Sequence, residues 1–353
     1  MSDARPHPAI GYVVRSYPRL SLLEEVIRTG SPRYADIRIA GCTPKVARYK
    51  RGSRCTVLYR LQYGEEACGC NWPRAVVAKT YSGGDGLNAH EGMRALWQTA
   101  LGRSTAVAVP EPLAFLPELN VAIQAAVPEE FDAEGRPQVD PVSRDGEGHG
   151  EASRPPRQDR AGARRPPRVR RPRTARDLGA GDGRAPGAGR GPRPLDPGLE
   201  GAMEPSLSRL DALAATHPPD SPVPSHRSFR PSQVLLHDGN ISFIDFDGFC
   251  EAEPAMDLAL FRASIKQSVM RLACAEPPEP SLDIPSELDG LCDLFLDEYE
   301  RTAPASRERV ALWETLYLLE SVLNSWIKLE PERLQGTMAL LERHVRQSPL
   351  SFA

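Results

Sequence analysis

With 353 residues, the chain is long enough for two bodies with separate hydrophobic cores. Lysine and arginine number 44 against 47 aspartates and glutamates, and a formal net charge of -3 argues against global attraction to nucleic acid or an anionic membrane. No uninterrupted apolar run could span a bilayer, and Met1 to Ile10 lacks the apolar stretch of a signal peptide. Seven cysteines, an odd number spread along the chain, read as reduced thiols of a cytoplasmic protein. Cys68 and Cys70 are the one close pair. Two further ligands at similar spacing are missing, so surface-loop thiols outweigh a zinc site.

In chain order, Ser21 to Arg28 can form a short amphipathic helix. Lys45 to Tyr63 reads as a hairpin turning at Arg51-Gly52-Ser53-Arg54. On its second strand Cys55, Val57, Tyr59, Leu61 and Tyr63 alternate, as one buried face requires. Ala75 to Tyr81 is a third strand ending at Gly83-Gly84, and His90 to Leu101 is helical, with Met93, Leu96 and Trp97 on one side. Leu113 to Leu116 and Asn120 to Val127 supply two more strands.

From about Phe131 to about Gly201 the composition turns to arginine, proline, glycine and alanine. Between Arg154 and Arg193 there is no lysine, aromatic residue or isoleucine. Such a stretch cannot bury enough apolar surface to offset its ordering entropy, so it is expected to be disordered as written. Three readings compete for it. An arginine-rich arm for nucleic acid usually carries lysine or stacking aromatics too. A natural flexible linker is the second. The favoured reading is translation out of frame, because the four dominant residue types all have GC-rich codons. A hand-chosen coding string for Leu178 to Pro186, read one nucleotide later, yields an amphipathic helix. Helical spacing resumes at Leu207, Leu210, Leu213 and Ala214.

The next segment carries the chemistry. His226-Arg227-Ser228 is followed by Gln233, by two short strands around the hairpin signal Asp238-Gly239, and by Ile244-Asp245-Phe246-Asp247. Glu253-Pro254-Ala255-Met256-Asp257-Leu258-Ala259 comes next. Helical patterns then run over Asp257 to Lys266, Leu288 to Arg301, Arg307 to Leu329 and Glu332 to Val345.

These three pieces, at these separations, resemble the aminoglycoside phosphotransferase and choline kinase-like family. Its pattern reads H-G-D-x-x-x-x-N-V-L, then I-D-F-D, then D-P-A-x-D-L-A. The resemblance implies an α+β, two-lobed protein-kinase-like fold, with a small β-rich N-lobe and a mostly helical C-lobe. It also implies transfer of the γ-phosphate of ATP, with Mg²⁺, to a hydroxyl of a small substrate whose identity is unknown. The corresponding division is an N-terminal extension over 1–40, an N-lobe over 41–130, the arginine-rich segment over 131–201 and a C-lobe over 202–353. By resemblance, Lys79 grips the α/β-phosphates and Glu91 holds that ammonium in place. Asp245 and Gln233 are the expected metal ligands, and His226 orients the catalytic loop. Asp257 is expected to brace that loop rather than touch substrate. The Arg51 to Arg54 turn lies where this fold covers the phosphates, though a plain hairpin turn accounts for it equally. Gln124 to Val127 is expected as the adenine hinge.

Ser228 stands where the family has its catalytic aspartate. A hydroxyl cannot accept a proton near neutral pH as a carboxylate does, and loss of a positioned base typically costs about 10²–10⁴-fold in rate. Asp247 is expected on the strand face of Asp245, as a solvent-side carboxylate rather than a replacement base. The expectation is a catalytically impaired phosphotransferase. The alternative is a pseudokinase that binds nucleotide or a partner protein without turnover. An arginine-rich nucleic-acid-binding protein ranks last.

Overall fold

A computed structural model describes residues 20–50, 54–67, 69–82, 85–104, 106–127, 131–132, 207–208, 210–275 and 287–347. The turn at 51–53, Cys68, Gly83-Gly84 and nearly all of the arginine-rich segment lie outside the described residues. The described chain divides into two compact units. One is built mainly of strands and the other mainly of helices, the α+β composition expected.

The first unit contains the N-terminal residues together with Ser232–Phe249. The boundary expected at about 202 therefore does not coincide with a compact unit. The hairpin after Gln233 pairs with Val107–Ala108 and Phe131–Asp132, so it groups with the first unit. Five antiparallel strands form its main sheet in the order β1-β2-β3-β6-β5. These are β1 (Gly41–Lys50), β2 (Arg54–Gln62), β3 (Ala75–Thr80), β5 (Pro112–Leu116) and β6 (Val121–Ala125). The predicted alternation of β2 is observed, with Cys55, Val57, Tyr59 and Leu61 buried. They join Val76 and Ala78 of β3, Leu113 of β5, and Leu23 and Ile27 of α1 (Leu20–Gly30) in one core. Fully burying an aliphatic or aromatic side chain contributes about 1.5–3 kcal/mol, so this shared face holds the sheet against α1.

The opposite face of β3 is set by the same period of two. Val76 and Ala78 face the core, so Lys79 and Tyr81 belong to the other side. Helix α2 (Asp85–Trp97) begins earlier than the pattern predicts, and Met93 and Leu96 are buried as expected. They pack with Val109, Phe246 and Phe249. This contact anchors the 3-10 turn Phe246–Gly248 immediately after Asp245.

A second sheet of the same unit runs β4-β10-β9-β7, where β4 is Val107–Ala108, β7 Phe131–Asp132, β9 Val234–His237 and β10 Asn240–Phe243. Asp238 (φ 47) and Gly239 (φ 75) both adopt left-handed conformations between β9 and β10. That is the geometry of the tight hairpin turn expected from Asp-Gly.

The second unit holds residues 207–208 and 210–216 in helical conformation. A short ladder follows, between β8 (Val223–Ser225) and β11 (Cys250–Ala252). Four helices complete it: α3 (Pro254–Ala275), α4 (Glu287–Glu300), α5 (Arg307–Ile327) and α6 (Pro331–Gln347). Their apolar stripes meet in clusters such as Ala255, Leu258, Ala259, Leu296 and Val310. The Ser306 hydroxyl caps α5 by accepting from the Arg309 N–H at 3.2 Å. Between these helices Glu314, almost wholly buried, lies 2.7 Å from the Lys266 ammonium and accepts from Arg262 at 2.9 Å.

Candidate functional site

Lys79 and Asp245, 166 positions apart in sequence, meet in the first unit, where the ammonium donates to Asp245 Oδ1 at 2.9 Å. It donates equally to Asp247 Oδ1, also at 2.9 Å. Burial alone would lower the pKa of Lys79, but Asp247 and Asp245 outweigh it and hold the ammonium above its ordinary value. Lys79 is therefore a fixed cation between two carboxylates.

The carboxylates do not converge by strand alternation, as the spacing suggested. β10 ends at Phe243, and Asp245 takes a left-handed conformation (φ 69, ψ 43) that leads into the 3-10 turn. Aspartate tolerates that region better than most residues. Phe246, buried against Met93 and Leu96, points into the core, while Asp245 and Asp247 on either side both reach Lys79.

Glu91 does not hold Lys79. It is exposed on α2, and Asp247 occupies the role expected of it. Helical period explains the difference: Gly92, Met93 and Leu96 form the buried side of α2, which leaves Glu91 facing outward. Asp247 is correspondingly no solvent-side carboxylate. Its Oδ1 accepts from Lys79, and its Oδ2 lies 2.9 Å from Arg54 Nη1.

Arg54 escaped the sequence reading except as part of the turn. It opens β2 two residues before Thr56, whose register partner is Lys79, so Arg54 and Lys79 lie on one face. Its guanidinium also sits 5.2 Å from the Tyr81 ring centroid and 3.8 Å from Asp245 Oδ1. Burial and neighbouring Asp247 push the Tyr81 phenol well above its ordinary pKa. An arginine opening the strand beside a lysine-bearing strand was the available signal.

Gln233 is buried and reaches Asp245, but through its amide nitrogen, at 3.4 Å from Asp245 Oδ2. In this orientation it braces Asp245 and does not offer the oxygen expected of a metal ligand. The donors nevertheless suit a hard cation. Two carboxylates already converge on one positive centre, and a rotated amide adds a third oxygen. Among the described residues no group of three or more His, Cys, Asp or Glu could hold a metal. Mg²⁺ here would complete its shell with phosphate oxygens and water, its common mode in nucleotide sites.

The expected hinge is used by the sheet itself. The Ala125 N–H donates to Glu111 O at 2.8 Å and the Ala126 N–H to Ala75 O at 2.9 Å.

His226 and Ser228 belong to the second unit. The Ser228 hydroxyl lies 3.2 Å from His226 Nδ1, and the His226 N–H donates to Asp257 Oδ2 at 2.6 Å. Burial raises the pKa of Asp257, opposed by His226 and by the N–H groups of Arg227, His226 and Phe229. Asp257 thus braces the loop. Arg227 adopts φ 67, where the family pattern has glycine. A row of rings missed by the sequence reading backs the loop, with centroids 5.8 Å apart for His226–Phe229, 4.7 Å for Phe229–Phe261 and 4.6 Å for Phe261–Phe295. Glu253 is spent structurally, in a buried bidentate pair with Arg309 and a 2.5 Å bond from Trp313 Nε1.

No family model and no curated protein matches the sequence. The solved structures that the chain resembles include small-molecule kinases and phosphotransferases. A choline kinase from Cryptosporidium parvum Iowa II is 10% identical, with TM-score 0.47 over 92% of this chain and 94% of that one. A thermostable mutant of an aminoglycoside phosphotransferase, in ternary complex with ADP and hygromycin B, is 12% identical, with TM-score 0.49 over 94% and 99%. A choline/ethanolamine kinase family protein from Mesorhizobium loti is 11% identical, with TM-score 0.49 over 93% and 95%. With TM-scores below 0.5, these likenesses assign the chain neither activity nor substrate. Among the described residues no helix is long and apolar enough to cross a membrane.

Proposed function

We propose that this chain is an ATP- and Mg²⁺-binding phosphotransferase of the kinase-like type, slowed at the proton-transfer step, with a small hydroxylated acceptor. One observation carries the proposal: Lys79 is buried between Asp245 and Asp247, at 2.9 Å from each. Desolvating three charges is costly unless their arrangement is used, and a cation flanked by two hard carboxylates suits a polyphosphate with its metal. When bound, Mg²⁺ would neutralise charge developing on the transferred phosphoryl group. Lys79 would hold phosphate oxygens, Asp245 and Asp247 would hold the ion, and Gln233 would keep Asp245 oriented. Ser228 has no carboxylate with which to take the acceptor's proton, so positioning and charge neutralisation must supply what rate enhancement remains.

A binding role without turnover is the second reading, and Asp247 favours it. With one oxygen on Lys79 and the other facing Arg54, Asp247 is not available as a substitute base. Thermal-shift titration with ATP, with and without Mg²⁺, tests the shared premise. Stabilisation that requires Mg²⁺ and is lost in Lys79→Met and Asp245→Asn is expected, and no shift in the wild type would overturn it. Ser228→Asp separates the two readings: a gain in ATP turnover supports the slowed enzyme, and binding unaccompanied by turnover supports the second.

A further inference from the structure

We infer that Arg54 is a built-in counter-ion that makes divalent-cation binding at Asp245 and Asp247 depend on the polyphosphate. The inference rests on the nucleotide reading above and extends it to the order in which the site fills. It starts from a charge balance within the first unit: Asp245 and Asp247 contribute two negative charges, Lys79 and Arg54 two positive. Three of the carboxylate oxygens accept hydrogen bonds, and the fourth, buried Asp247 Oδ2, is faced by the Arg54 charge without a hydrogen bond. Lys79 takes both Oδ1 atoms at 2.9 Å, Gln233 lies 3.4 Å from Asp245 Oδ2, and Arg54 lies 2.9 Å from Asp247 Oδ2. A divalent cation arriving alone meets a neutral cluster, in which it must displace the Gln233 amide to reach Asp245 Oδ2 and Arg54 to reach Asp247 Oδ2. Near Asp247, the Arg54 charge offsets the attraction that would draw the ion in.

The two cations differ in burial and in how many partners hold them. The Lys79 side chain is 8% exposed and held on both sides, whereas that of Arg54 is 26% exposed. Arg54 rests 5.2 Å from the Tyr81 ring centroid, an aromatic surface along which a guanidinium can shift without losing all its contacts. A guanidinium matches phosphate oxygens bidentately at least as well as it matches a carboxylate. A bound triphosphate would therefore draw Arg54 away and uncover Asp247 Oδ2 for the ion that accompanies it. Metal and polyphosphate binding become coupled, and the coupling must be reciprocal.

The test is Mn²⁺ binding measured by electron paramagnetic resonance on the full chain, first without nucleotide and then with a non-hydrolysable ATP analogue. Arg54→Gln and Arg54→Met should tighten binding of Mn²⁺ alone about tenfold or more, as removal of a charge-assisted contact implies. They should weaken binding of the analogue. Arg54→Lys, which keeps the cation, should restore the weak metal binding of the wild type. A structural role for Arg54 would instead weaken both ligands together. Wild-type Mn²⁺ affinity equal to that of both neutral variants would overturn the inference. Failure of the wild type to bind the analogue at all would instead overturn the nucleotide reading, and the metal measurement is scored without it. Should one neutral variant not fold, the other and the lysine rescue still decide.

Discussion

The exchange of Glu91 for Asp247 as the partner of Lys79 is open to a direct test by Asp247→Asn. Asp247 Oδ1 accepts from Lys79 at 2.9 Å and Oδ2 faces Arg54 at 2.9 Å, with only 12% of the side chain exposed. Hydrogen bonds to charged groups contribute about 1.5–3 kcal/mol each. Asparagine keeps one acceptor oxygen, so one charged contact is weakened and the other is lost. Removing a partner from a buried ion pair generally costs about 3–5 kcal/mol, but Asp245 remains 2.9 Å from the same ammonium. The expected loss is about 2–3 kcal/mol, whereas Glu91→Gln, on an exposed helix face, should stay within about 0.5 kcal/mol.

The assay is urea denaturation at neutral pH, comparing midpoints at unchanged slope, with amide exchange of β3 to place the effect in the first unit. The pH dependence carries its own sign. Lys79 is held above its ordinary value of 10.5, so its contribution is complete below that value and is lost as pH rises through the folded-state pKa. The gap between wild type and Asp247→Asn should therefore be full at neutral pH and close in strong alkali. Equal destabilisation by Glu91→Gln, or a silent Asp247→Asn, would refute the assignment.

Three further outcomes are expected. Arg227→Gly should raise stability by about 0.5–1 kcal/mol, read as a higher urea midpoint, because glycine relieves the φ 67 conformation. Asp257→Ala should speed amide exchange at residues 226–229 while leaving β2 and β3 protected, since it strips the acceptor from the loop's N–H groups. Burial raises and Lys266, His344 and Arg262 lower the Glu314 pKa, which falls from 4.5 to about 2. A depressed carboxylate contributes stability above 4.5 that is lost as pH falls through about 2, so acid titration of the wild type should show a loss of roughly 3 kcal/mol in that window. Glu314→Gln should remove Glu314's share of that slope, leaving the shares of Glu24 and Glu308, and an unchanged acid profile would remove the buried cluster from the account.

Much of this molecule was legible before any coordinates. Period-two alternation on β2, an apolar run at β3 and period-3.6 stripes on the helices placed the elements, because burial of one face is a local demand that neighbouring residues must meet together. The motif resemblance, and not periodicity, singled out Lys79 and Asp245 and cast Asp257 as the loop's brace. Local pattern could not say which carboxylate would reach Lys79. A left-handed residue at Asp245 and a turn anchored by Phe246 brought Asp247 in, while the packing of Gly92, Met93 and Leu96 turned Glu91 outward. Nor could it supply Arg54, which becomes a partner only once β2 lies beside β3 in register. Periodicity records which face of an element is buried. Partnership between charges depends on contacts between positions more than a hundred residues apart, and those exist only in the folded chain.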